Sequence, residues 1–542
     1  MFSTRALAAV SARHPWRVLA AWGAVTLAAM VAVGALLGGS LTTEGAPTNN
    51  PESERADEAR FAAFPPDPER AFSDIVVIRS EQHTVDSPQF EAFVRAFVAG
   101  AGVASLDVER SWFVTGDESL VSEDRHATIV PVALAEDDTE TLVEGVEAVE
   151  DGAFAVSVTG DETLDHDFNL LSQEDLENGE LKFGLPAALI VLLLVFGAVV
   201  AGLVPLLMAI VAIIVALGLS TVLAQYFELS VFLVNMLTGM GLALGIDYSL
   251  FVVSRYREER GQGRHELAAI EASGATASRA VLFSGSVFVI AMFGMLIVPN
   301  SIMRSLAVGA ILVGIVSVVA ALTLLPAVLG LLGDKVNGLR IPIVGRGSLQ
   351  ASNPEGRFWG AIVRRVLRRP GLSLALSVGL LLALALPVFR IDIGTGGVST
   401  LPDRLVSKQG FVALERDFPA TTTDPAEIVV SNASSAGVPE AIAELRSRLA
   451  ADPRFGEGEV ATSQDGEVVL VSVPVEGDAS APAAIGAVRE LRTEVVPETF
   501  AGTDAEALVG GTSSENIDYF DSVIDPAPYV IAFVLLLTFV LL

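Results

Sequence analysis

One carboxylate stands alone in "TGMGLALGIDYSLFVVSRYREER" (Thr238–Arg260): Asp247, the single charge in the 26 residues from Leu229 to Ser254. A charged side chain at mid-bilayer costs about 2.5–3.5 kcal/mol on insertion scales, so an acid kept there marks a functional site by default. Tyr248 follows directly, a phenol that can donate to a carboxylate or accept from it. Ser284 and Ser286 flank Gly285 near the inner end of the next apolar segment, at a comparable depth. Serines in such helices also bond back to their own backbone, so either role is open to them. No Lys, Arg or His lies inside an apolar segment to give Asp247 a fixed counter-ion. An acid of this kind can change protonation within a helix bundle, which is what a proton-driven machine needs; the alternative is a permanently protonated Asp that joins two helices.

Three glycines, Gly239, Gly241 and Gly245, precede the acid. The Gly241–Gly245 spacing clears one helix face at i and i+4 and so permits close helix approach. Asp247 lies eight residues before Arg255, about 12 Å at a rise of 1.5 Å per residue. It should face the bundle interior, beside other polar groups, because lipid exposure is costly.

These residues need a membrane around them. Seven long segments carry essentially no charge: Val18–Thr43, Phe183–Phe227, Leu229–Ser254, Ala280–Met303, Ser305–Gly333, Pro370–Phe389 and Pro526–Leu542. About 20 apolar residues cross roughly 30 Å of hydrocarbon, and the second segment, twice that length, divides at a small-residue hinge, Gly202–Pro205. Eight spans follow, at 18–39, 183–203, 205–225, 229–254, 280–299, 305–332, 370–389 and 526–542, the second to sixth forming a bundle over 183–333. Residues 1–17 and the linker 334–369, with the short loop Arg255–Arg279, hold 16 basic and 6 acidic residues, whereas Leu41–Lys182 and Arg390–Asp525 hold 17 and 57. The positive-inside rule then places the N-terminus in the cytoplasm and the loops 40–182 and 390–525 outside the cell membrane. The N-terminal run is too long for an ordinary signal peptide and recurs later in the chain.

The recurrence is general, at a spacing of roughly 340–355 residues. "RHPWRVLAAWGAVTLAAMV" (Arg13–Val31) corresponds to "RRPGLSLALSVGLLLALAL" (Arg368–Leu386), "RFAAFP" (Arg60–Pro65) to "LERDFP" (Leu414–Pro419), and "DIVVI" (Asp74–Ile78) to "EIVVS" (Glu427–Ser431). "IVPV" (Ile129–Val132) and "SVTGD" (Ser157–Asp161) recur as "SVPV" (Ser472–Val475) and "LVGGT" (Leu508–Thr512). Strands are expected at Asp74–Ile78, Ala127–Ala133, Phe154–Val158, Glu427–Ser431, Val468–Val475 and Ala505–Val509, with helices after Ser87-Pro88 and over Thr139–Val149, Val438–Leu449 and Ala481–Val495. The alternation suits two α+β domains of ferredoxin-like type. Five spans follow the first outer domain and one the second, so the expectation is a twelve-span protein whose second half is truncated here.

Other chemistries find no support. A P-loop needs Gly-Lys before Ser or Thr, and none of Lys182, Lys335 and Lys408 follows glycine. There is no GxSxG elbow, no cysteine and no intramembrane histidine; "DHD" at Asp165–Asp167 reads as a solvated acidic loop. The chain is expected to be neither an enzyme nor a cofactor protein, and its formal charge of −31 argues against nucleic acid as a partner.

"GLALGIDYSLFVVSRYREER" resembles the fourth-span signature of the mycobacterial-membrane-protein-large (MMPL) family, a branch of the resistance-nodulation-division superfamily. "TNNPESERADE" (Thr48–Glu58) and "SLAVGAILVGIVSVVAALTLLPAVLGLLG" (Ser305–Gly333) are similar to that family too. The resemblance implies a polytopic α-helical, pseudo-twofold exporter with two extracytoplasmic porter domains, driven by the proton gradient. Its substrate would be a lipid or another hydrophobic or amphiphilic molecule. Asp247 and Tyr248 would form one half of the proton relay with Ser284 beside them, and Phe251 would wall a central pocket; the other half, an Asp-Tyr pair in a tenth span, is not in this sequence. Membrane lipids are implied partners, and accessory envelope proteins and a monomeric or trimeric state stay open. The rival reading is a non-transporting scaffold or a lipid- or sterol-sensing module in which Asp247 is structural.

Overall fold

The computed structural model describes residues 3–38, 40–43, 45–65, 72–103, 105–149, 152–339, 357–390, 398, 401–419, 425–476 and 479–541. Residues 340–356 of the expected linker therefore lie outside the described residues. The chain divides into a helical unit (Met1–Gly45, Ser172–Ile393, Pro526–Leu542) and an α+β unit (Ala46–Leu171, Gly394–Asp525).

Among the described residues eight helices are long and apolar enough to cross a membrane: Pro15–Leu36, Asp161–Phe196, Val199–Ala224, Phe232–Gly261, Glu266–Met295, Ser301–Asn337, Pro370–Val388 and Thr512–Leu541. The chain is a multi-pass membrane protein. The break between the second and third long helices falls at Gly197, not at the Gly202–Pro205 hinge. Gly197 takes a left-handed conformation (φ 61°) that ends one helix, and Pro205 sits inside the next. Gly202 closes the hairpin instead, since a Cβ there would stand 3.2 Å from Leu193 Cδ2. The fourth helix starts at Phe232 because Leu229 and Ser230 pair in parallel with Leu41 and Thr42, and Ser305 Oγ accepts the Ser230 N–H at 3.0 Å. The fifth is interrupted at Thr276 and the sixth at Thr323.

A short helix, Thr4–Arg13, precedes the first span and was not foreseen. It packs through small residues: a Cβ on Gly274 would lie 2.7 Å from Ala8 Cβ, and one on Gly330 would lie 3.1 Å from Ala12 O. Arg5 and Arg13 both reach Glu271.

The α+β unit contains two antiparallel sheets of matching order. In the first, Asp74–Arg79 is central, with Ala127–Val132 on one side and Ala155–Gly160 on the other. In the second, Pro425–Ser431 is central, between Val468–Pro474 and Glu506–Gly510, with Glu459–Thr462 added outside Val468–Pro474. Each central strand is one member of the "DIVVI"/"EIVVS" pair. A ferredoxin-like sheet has four strands; the first sheet has three among the described residues. The Ser87-Pro88 pair opens a helix at Pro88, with Ser87 Oγ accepting from Phe90 N, and Phe90, Val94 and Phe97 buried beneath it.

The two halves of this unit exchange helices. Glu52–Ala63, from the first half, packs on the second sheet, where a Cβ on Gly510 would meet Ala56 Cβ at 3.1 Å. Val406–Asp417, from the second half, packs on the first sheet, and Gly410 allows it to touch the Val158 carbonyl. Each helix is fastened at its second residue by a buried aspartate of the opposite half. Ser53 N donates to Asp518 Oδ2 at 2.9 Å and Ser407 N donates to Asp167 Oδ2 at 2.9 Å. "DHD" is thus part of helix Asp161–Asp175, and its last residue is this clasp rather than a solvated loop. Asp518 also accepts from Arg492 (2.7 Å), which donates in turn to Glu52 (2.7 Å).

Removing one partner of a buried charge pair typically costs about 3–5 kcal/mol, because the other stays buried and unpaired. Asp518→Ala is expected to fall at the lower end of that range. The exposed Asp521, paired to Arg489 (2.9 Å), serves as the control; its removal should cost under about 1 kcal/mol. Thermal unfolding of the two variants in detergent measures the difference, and equal midpoints would refute the clasp.

Candidate functional site

The fourth long helix has two faces with different work. Gly241, Gly245, Tyr248, Val252, Val253 and Tyr256 are buried. At 100° per residue they share one side, and it packs on the third and sixth helices. A Cβ on Gly245 would come within 2.5 Å of Ala209 Cα, so here the two backbones nearly touch. One on Gly241 would meet Ile213 Cγ1 at 2.4 Å and Val313 Cγ2 at 3.0 Å. Gly239 is different: only Glu180 Oε1 comes near, at 3.7 Å.

Ala243, Asp247, Phe251 and Ser254 occupy the opposite side and are exposed, Phe251 by 62 %. This corrects the expectation that Asp247 faces the interior of these helices beside other polar groups. The reason is angular. Once the glycines and Tyr248 turn toward the third and sixth helices, the residue before Tyr248 is rotated 100° away. Among the described residues Asp247 accepts no hydrogen bond.

Tyr248 is only 7 % exposed. Its hydroxyl reaches the fifth helix, 3.3 Å from the position a Cβ on Gly285 would take. Beside that glycine, Ser284 Oγ donates to its own helix at Val281 O (3.2 Å), and Ser286 Oγ bonds backward to Leu282 O (2.7 Å). Tyr248 thus meets the fifth helix beside Gly285 and Ser284, while Asp247 lies on the other side of its own helix.

The charges after the span, first read as an orientation signal only, make a fixed base for this helix. Glu259 is buried, held by Arg255 (2.5 Å) and Arg264 (2.8 Å). Arg260 pairs with Asp334, and Arg257 donates to Asn337 Oδ1 (2.8 Å) while its guanidinium lies 5.4 Å from the Phe196 ring centre. Sequence offered the alternation of Arg and Glu but not Asp334 and Asn337, the partners of Arg260 and Arg257, which lie 74 and 80 residues further on. Among the described residues no three His, Asp or Glu stand close enough to hold a metal ion.

The model of the MMPL family matches residues 49–373 and 401–542. The chain belongs to the MMPL family. A membrane protein of Streptomyces coelicolor is 30 % identical over 561 residues, covering 100 % of this chain and 73 % of that protein. The mycolic acid-containing lipids exporter MmpL11 of Mycolicibacterium smegmatis is 32 % identical over 367 residues, 67 % of this chain but 38 % of the exporter's own length. Among solved structures, the hedgehog release protein Disp of the water bear Hypsibius dujardini is similar over 99 % of this chain and 83 % of its own, with a TM-score of 0.62 at 13 % identity. At that identity the likeness concerns fold alone: this MMPL chain shares its helical membrane architecture with that protein.

Proposed function

We propose that this MMPL chain carries the first relay half of an exporter that uses the proton-motive force to move lipids or other hydrophobic or amphiphilic molecules across the cell membrane. The observation that carries the reading is the exposed stripe with Asp247 and Phe251, backed by buried Tyr248, whose hydroxyl reaches the fifth helix beside Gly285. Left in hydrocarbon, the ionised acid would cost about 2.5–3.5 kcal/mol. The stripe is therefore covered in the working protein. Its cover is a tenth span bearing a second Asp-Tyr pair, contributed by sequence beyond this chain. Protons load Asp247 from one side of the membrane and leave toward the other, and the change of charge moves the helices against each other. Phe251 lines the apolar space beside the acid, and the α+β unit lies outside the cytoplasm, where it receives the amphiphile. A relative named as a lipid exporter supports the substrate class. The test is efflux of a fluorescent lipid from vesicles carrying the complete protein. Efflux that follows an imposed pH gradient supports the proposal, and efflux indifferent to it refutes it.

A further inference from the structure

Helix Arg357–Arg368, "RFWGAIVRRVLR", separates polar from apolar residues more sharply than any other described helix. Ile362, Val363, Val366 and Leu367 follow the i, i+1, i+4, i+5 spacing of one helical face. All four are exposed, Val363 by 51 % and Leu367 by 69 %. Arg364 and Arg368 lie one turn apart on the other side, with Arg365 at the border, and no Asp or Glu occurs from Arg357 to Arg390. Pro370, one residue beyond Arg369, opens the seventh long helix, whose 16 residues to Ala385 carry no charge. The amphipathic helix is thus tied by a single residue to a segment that enters the bilayer. In a water-soluble setting its bare apolar face would need a protein core. At a membrane surface the acyl-chain boundary covers such a face, while arginines on the opposite side meet the headgroups.

We propose that Arg357–Arg368 lies flat in the membrane interface and that Arg364, Arg365 and Arg368 bind anionic phospholipid headgroups there. The guanidinium fork suits a phosphodiester, which it can grip with two hydrogen bonds. A basic segment beside a span is also drawn to an anionic leaflet over a Debye length. The inference is independent of the transport reading, because it needs only the helix and its neighbouring span. It makes the seat of the seventh helix responsive to the charge of the leaflet.

The chain has no cysteine, so Val363→Cys carries a single environment-sensitive fluorophore, with Leu367→Cys as a second position. The full chain is placed in phosphatidylcholine vesicles with and without phosphatidylglycerol. Phosphatidylglycerol should blue-shift the label and reduce its quenching by aqueous iodide several-fold, and chain-brominated lipid should quench it. High salt, or Arg364→Gln, Arg365→Gln and Arg368→Gln together, should remove the dependence on phosphatidylglycerol. A label open to iodide in every vesicle overturns the proposal. So does shielding that brominated lipid does not quench, since protein then covers the face. Quenching by brominated lipid with no response to lipid charge or salt overturns the assignment to anionic headgroups.

Discussion

Gly245→Leu should be the most damaging substitution among the three glycines of the fourth helix that precede Asp247. The atoms nearest its new Cβ would be Ala209 Cα at 2.5 Å, Ala209 Cβ at 2.7 Å and Ala209 N at 3.1 Å. A backbone cannot rotate aside as a long side chain does, so the third and fourth helices must separate along their whole contact. Overpacking a close-fitted site costs about 1–3 kcal/mol and sometimes more, and close approach at small residues is itself what holds membrane helices together. Gly241→Leu should be milder, since Ile213 and Val313 can shift their side chains, and Gly239→Leu nearly silent. The ranking Gly245 over Gly241 over Gly239 is checked by thermal unfolding of the three variants in one detergent. A Gly239 variant as unstable as the Gly245 variant would show that the contact surface is wrongly drawn.

Asp247→Asn should reduce proton-coupled efflux by the complete protein to background while leaving its folding intact. Asn keeps the size and most of the hydrogen bonding of the acid but has no proton to release. The exposed position of Asp247 predicts that the substitution leaves the packing of this chain's helices undisturbed; removing its charge should, if anything, ease insertion. Asp247→Glu should recover part of the transport, because the carboxyl group returns on a side chain one methylene longer. Tyr248→Phe should lie between the two, since it removes the hydroxyl that faces the fifth helix but leaves the acid. Efflux, expression and melting temperature are measured on the same preparations. Equal loss of stability and efflux in Asp247→Asn would point to a structural acid and to the scaffold reading.

Much of this architecture is legible in residue order because each signal is local. Uncharged runs identify the long helices, and the paired "DIVVI" and "EIVVS" stretches identify both central strands. The helix break differs from the expected hinge for a local reason as well: a membrane helix tolerates Pro205 in its interior, and Gly197, with an ordinary apolar context, takes the left-handed turn. What could not be read depends on distant partners. Ser53 and Asp518 are 465 residues apart, and nothing near either one announces the clasp. Glu459–Thr462 is short and exposed, without the alternation that marks a half-buried strand. The side on which Asp247 emerges was hidden for a similar reason. Asp247 and Phe251 are four residues apart and so share one side of a helix, but which neighbouring helices cover the other side is a tertiary fact.

By this proposal Asp247 binds and releases a proton in each transport cycle. Vesicles loaded with a pH-sensitive dye and carrying the complete protein test it most directly, with proton movement recorded as an amphiphilic substrate is added. Substrate-dependent proton movement is expected in the wild type and none in Asp247→Asn, with the protein equally abundant and folded in both. Substrate-dependent proton movement of the same size in Asp247→Asn would contradict it.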